Sequence, residues 1–85
     1  MSDILIYSKP TCPFCVRAKQ LLTDLGQTFD VIDIAAKPEK RDEMIAKANG
    51  AYTVPQIFIG GEHVGGCDDL FALHAKGKLE PLLAK

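Results

Sequence analysis

Eighty-five residues suffice for one domain with its own core, in which each buried side chain matters to a marginal stability. With 47% hydrophobic and 25% charged residues, the composition is that of a globular chain, neither disordered nor membrane-embedded. Ten basic against eleven acidic side chains leave a net charge of −1, which supplies no field for a polyanion and argues against nucleic-acid binding.

Ile4-Leu5-Ile6-Tyr7 is a short apolar run with β-branched residues, suited to a strand covered on both faces, and it stops at Lys9-Pro10. From Pro13 to about Leu25, Cys15, Ala18, Leu22 and Leu25 recur at helical spacing before Gly26, which predicts an amphipathic helix with a glycine stop. Phe29 to Ile34 is rich in β-formers, so strand, helix and strand make a βαβ crossover with a parallel pair. Pro38 to about Ala48 reads as a second helix, with Met44, Ile45 and Ala48 as its apolar face. Pro55 to Ile59, Gly60-Gly61, then Glu62 to Val64 form a hairpin. Asp68 is placed to cap a third helix carrying Leu70, Phe71, Leu73 and His74, ended by Gly77; Pro81 suits the first turn of a last short helical piece. The order is β-α-β-α-β-β-α, an α/β chain whose four-stranded mixed sheet is flanked by helices on both faces. That order, with a cysteine pair after the first strand, resembles the thioredoxin fold.

No apolar run approaches the roughly 20 residues that span a bilayer. Met1-Ser2-Asp3 has neither basic n-region nor apolar h-region, so a cytoplasmic location is expected. Three cysteines cannot all pair within the chain, and two at Cys-x-x-Cys spacing suggest redox or metal chemistry. Disulfide exchange needs a thiolate, whereas an ordinary cysteine is mostly protonated at pH 7. Pro13 at the first helical position puts Cys12 at the N-cap, where free backbone N–H groups and the helix dipole favour negative charge. Cys12 is therefore the expected nucleophile. Lys9, in the same loop, would add favourable charge. Cys15 opens the apolar stripe and is expected to be the less exposed thiol, one turn on and able to resolve a mixed disulfide. Two other readings stay open on these residues: half of a zinc site completed by Cys67 with His63 or His74, and unrelated core cysteines.

Lys9-Pro10-Thr11-Cys12-Pro13-Phe14-Cys15, Thr53-Val54-Pro55-Gln56-Ile57-Phe58-Ile59 and Gly65-Gly66-Cys67-Asp68-Asp69-Leu70 together resemble the three signatures of dithiol glutaredoxins, in the same order and spacing. The chain is less similar to thioredoxin, since it has no tryptophan and carries Pro13-Phe14 between its cysteines. The resemblance implies one glutaredoxin domain over residues 1–85: a monomeric, glutathione-dependent thiol–disulfide oxidoreductase with no bound cofactor and no metal. Its substrates would be glutathionylated or disulfide-bonded proteins, ribonucleotide reductase among them, with glutathione as co-substrate. It implies Cys12 and Cys15 as the catalytic pair. It also implies a cis Val54-Pro55 peptide facing Cys12, with Thr53, Val54 and Pro55 along the path of glutathione. Gly66, Cys67 and Asp68 would receive the γ-glutamyl end, through backbone N–H groups for its carboxylate and Asp68, or less favourably Asp69, for its ammonium. Lys9 would hold the glycine carboxylate, and Phe14 would wall the thiol. Cys67 would serve through its backbone. His63, on a surface turn, and His74, on a partly buried helix face, need no catalytic role. Tyr52 stands where the family frequently has arginine. The rival functions are an electron donor served by a flavoenzyme, or dedicated to one reductase, and a module that carries metal or a cluster.

Overall fold

A computed structural model describes residues 3–83 of the chain. The elements run β1 (Ile4–Ser8), α1 (Pro13–Asp24), β2 (Asp30–Asp33), α2 (Glu39–Lys47), β3 (Gln56–Ile59), β4 (Glu62–Gly65), α3 (Cys67–Ala75) and α4 (Leu79–Leu83). The strands lie in the order β2-β1-β3-β4. β1 pairs parallel to β2, with Ile6 opposite Val31, and antiparallel to β3, with Ile6 opposite Ile57. β3 and β4 form the expected antiparallel hairpin, with Phe58 opposite His63. This is the mixed sheet of the thioredoxin fold.

The two faces of the sheet follow from strand alternation. Ile4, Ile6, Ile57 and Ile59 meet Ala18 and Leu22 of α1, Cys67 and Leu70 of α3, and Leu79 of α4 in one core. Tyr7 and Phe58 turn to the other face and pack with Ile34 and with Met44 and Ala48 at α2. The helix spacing read from Cys15, Ala18 and Leu22 is the buried stripe of α1. That helix ends through Leu25, with Gly26 in the left-handed region at φ +75° and its N–H donating to Thr23 O at 3.0 Å, the conformation for which glycine is favoured after a helix.

Three of the boundaries that differ from the sequence reading have a plain physical cause. β2 is shorter than Phe29 to Ile34 because it is an edge strand whose first residues are exposed, so the pairing, and not the apolar content, sets its length. β3 begins at Gln56, Pro55 having no N–H to give the ladder. The third correction concerns α3: its N-cap is Gly66, not Asp68. Asp69, in the first turn, sends its carboxylate back to accept the Gly66 N–H at 3.0 Å, half of a capping box. Gly65 makes this arrangement fit. Its φ is +119°, and a Cβ there would fall within the Asp69 carboxylate, with Cγ 2.8 Å away. The glycine pair therefore starts the helix two residues earlier than the aspartate suggests.

Candidate active site

The β1–α1 loop delivers Cys12 to the end of α1, where its extended backbone (φ −104°, ψ 108°) makes it the N-cap with Pro13 just inside the helix. Cys12 Sγ accepts the Cys15 N–H at 3.3 Å and approaches the Val54 carbonyl oxygen at 3.7 Å. The first contact is a cap bond to sulfur, of the kind that strengthens when the acceptor is an anion. The second comes from the loop before β3, where the Val54-Pro55 peptide is cis, as the resemblance implied. Cys12 is partly exposed, whereas Cys15 and Cys67 are buried, at 1% and 6% exposure. Burial, and then the neighbouring Cys12 sulfur, push the Cys15 thiol up to about 11, against a smaller opposing pull from the Lys9 backbone. The Cys67 thiol is raised by burial too, with Arg17 drawing it the other way. The two cysteines of the pair are thus unequal: one reachable and held by a helix start, the other shielded and protonated at neutral pH.

Beside Cys12 runs an open groove of about 460 Å³, within the usual range of small-ligand sites. Phe14, half exposed, stands at one wall; Thr53, Val54 and Pro55 supply another; Gly66, Cys67 and Asp68 close it at the start of α3. Three segments far apart in sequence therefore converge. Lys9 is exposed in the β1–α1 loop and is not part of the groove lining. Asp68 is exposed and has no hydrogen-bond or ion-pair partner among the described residues, while Asp69 is engaged with Gly66. Tyr52 is exposed as well.

Gln56, His63, Gly65, Asp69 and Ala51 also line the groove, and the sequence reading gave none of the five a firm place in the site. His63 is half-buried in β4, not on a turn, with its ring 5.0 Å from that of Phe58. One signal was available for Gln56: it is the polar residue in an otherwise apolar strand, and such a residue needs a buried partner. Among the described residues, no group of three or more His, Cys, Asp or Glu side chains is placed to hold a metal ion, so Cys67, His63 and His74 do not assemble with the pair. No helix among them is long and apolar enough to cross a membrane.

The family model described as glutaredoxin matches residues 4–64. Glutaredoxin 3 of Escherichia coli K12 is 54% identical over 83 residues, covering 98% of this chain and 99% of that protein. A glutaredoxin of Pseudomonas aeruginosa is 54% identical over 84 residues, 99% of each. Among solved structures, the glutaredoxin of Brucella melitensis is 55% identical with a TM-score of 0.83, covering 98% of this chain and 89% of that one. The buckwheat glutaredoxin–glutathione complex superposes with a TM-score of 0.88 at 35% identity, covering 98% and 77%. With a thiol capping a helix beside a cis-proline loop and a matching sequence over nearly its whole length, the chain belongs to the glutaredoxin family of glutathione-dependent thiol–disulfide oxidoreductases.

Proposed function

We propose that Cys12 is the nucleophile of this glutaredoxin and that the adjoining groove seats glutathione. The observation that carries the reading is the position of Cys12 Sγ, held by the Cys15 N–H and 3.7 Å from the Val54 carbonyl oxygen at the groove. The Cys12 thiolate attacks the glutathionyl sulfur of a mixed disulfide. A Cys12–glutathione disulfide forms as the bond to the protein sulfur breaks, and the departing thiolate takes up a proton. A second glutathione, as thiolate, attacks the bound glutathionyl sulfur, releasing glutathione disulfide and restoring Cys12. For a protein disulfide, the Cys12 thiolate attacks one protein sulfur, forming a mixed disulfide as the protein S–S bond breaks and the other sulfur leaves and takes up a proton. Cys15 then gives up its proton and attacks the Cys12 sulfur, releasing the bound protein sulfur as a thiol and closing a Cys12–Cys15 disulfide, which two glutathiones reduce while becoming glutathione disulfide.

Within the groove, the Val54 backbone pairs with the cysteinyl unit of glutathione, with Thr53 and Pro55 on either side. The γ-glutamyl carboxylate meets the first N–H groups of α3. Because the Gly66 N–H is taken by Asp69, those of Cys67 and Asp68, which have no partner within a helix, are the ones left for it. Asp68, exposed and unengaged, receives the ammonium in preference to Asp69. Phe14 covers the thiol, and Lys9 reaches the glycine carboxylate from outside the groove. The chain acts as a monomeric domain over residues 1–85, in the cytoplasm, with glutathione as reductant and without a bound cofactor. Its protein substrates are glutathionylated proteins and disulfide-forming reductases such as ribonucleotide reductase.

The test is turnover of a glutathionylated peptide with glutathione. Cys12→Ser abolishes both this turnover and the reduction of a protein disulfide, whereas Cys15→Ser retains the turnover and loses only the dithiol reduction of a protein disulfide. Parental turnover in Cys12→Ser refutes the assignment.

A further inference from the structure

The loop that carries Thr53 and Val54 is tied to the sheet through one side chain. Gln56, 3% exposed, donates its Nε2 to the Thr53 carbonyl oxygen at 3.0 Å and to Thr53 Oγ1 at 3.3 Å. A carbonyl oxygen accepts only, so the amide nitrogen of Gln56 must face the loop and its Oε1 must face away. That oxygen lies 2.6 Å from His63 Nε2. Two acceptors cannot face each other at this distance, so the His63 proton is on Nε2. The ring itself is held by Phe58, its partner across the β3–β4 ladder, at a centroid distance of 5.0 Å and a tilt of 33°. Phe58 in turn meets Tyr7 edge-on at 5.7 Å. Gln56 and Phe58 are two apart on one strand and share a face, which puts Gln56 on the diagonal that the His63 ring can reach.

We infer that His63 is a positioning residue for the glutathione groove: its Nε2–H fixes the Gln56 amide, which fixes the Thr53 carbonyl and hydroxyl that precede Val54. The inference rests on the proposed seating of glutathione along Thr53 to Pro55. Without the His63 donor the Gln56 amide is free to turn over, presenting oxygen to the Thr53 carbonyl, and the loop loses its fixed orientation. Cys12 touches the same loop, its Sγ lying 3.7 Å from the Val54 carbonyl oxygen, but the cap bond that favours its thiolate comes from the Cys15 N–H of α1, which the His63–Gln56 contacts do not reach. The effect therefore falls mainly on substrate binding, with the cap bond to the thiol kept.

The experiment compares parent, His63→Leu and His63→Gln in turnover of a glutathionylated peptide, alongside alkylation of Cys12 by iodoacetamide. His63→Leu removes the donor and raises KM roughly two- to tenfold, the worth of one neutral hydrogen bond, with the alkylation rate at the parental value. His63→Gln, which restores an N–H, recovers most of the loss. In a His63→Leu/Gln56→Leu double variant, KM is no higher than in Gln56→Leu alone. Parental KM in His63→Leu, with the parent active, overturns the positioning role and leaves the functional reading standing. An inactive parent sinks both. Nitrogen-15 NMR of the parental His63 ring at pH 8 tests the same point without a variant: a protonated Nε2 is expected, and a proton on Nδ1 alone refutes the arrangement.

Discussion

Replacing Gly65 by alanine tests the start of α3 directly. At φ +119° an L residue is strained, at a cost of about 1–3 kcal/mol. The new Cβ also collides with the Asp69 carboxylate. That carboxylate is the end of a flexible side chain and can swing aside, but doing so breaks its bond to the Gly66 N–H, worth about 0.5–2 kcal/mol as a cap. Gly65→Ala should therefore destabilise by about 2–4 kcal/mol, a fall in Tm of roughly 8–30 °C for a domain of this size. Asp69→Ala alone should cost about 1 kcal/mol or less, because alanine's better helix propensity offsets part of the lost cap. The double variant should cost less than the two together, since both lose the same bond. Thermal and urea unfolding of the four proteins measures this cycle. Strictly additive costs, or a Gly65→Ala loss below about 0.5 kcal/mol, would refute the view that Gly65, Gly66 and Asp69 form one cap.

Other consequences follow from burial and titration. Leu22→Ala and Leu70→Ala, both fully buried in the core beneath α1 and α3, should each cost about 2–5 kcal/mol in urea unfolding; losses under 1 kcal/mol would contradict that packing. Iodoacetamide at pH 7 should label Cys12 and spare Cys15 and Cys67, whose thiols are buried and raised, with mass spectrometry of tryptic peptides as the readout. Because the folded Cys15 thiol is raised from 9.0 to about 11, the unfolded chain releases this proton first. Stability should be intact below pH 9 and fall between pH 9 and about 11, and Cys15→Ala should flatten part of that decline; a midpoint rising with pH would reverse the sign. Tyr7 donates to Glu43 at 2.6 Å and, with Lys40, holds that carboxyl below its ordinary 4.5, so Tyr7→Phe should let Glu43 titrate closer to 4.5 in an NMR pH series.

The order of elements, the burial of Cys15 and the place of Cys12 as a helix cap were legible in the sequence, because they depend on local rules: apolar period, proline at a first turn, glycine after a helix. The family signatures likewise pointed to Thr53-Val54-Pro55 and Gly66-Cys67-Asp68, and the fold brings both segments to one groove with Phe14. Asp68 as the cap of α3 was a sound local inference that failed. A capping aspartate and an aspartate reaching back from the first turn look alike in sequence, and the choice between them was made by the close approach of Gly65 to Asp69. Only tertiary structure decided what His63 and Gln56 do. Their meeting depends on the register that sets Phe58 opposite His63 across the hairpin, and register is a property of paired strands that neither strand carries alone. The chain's own residues thus determined a helix-capping thiol; the sheet determined what stands around it.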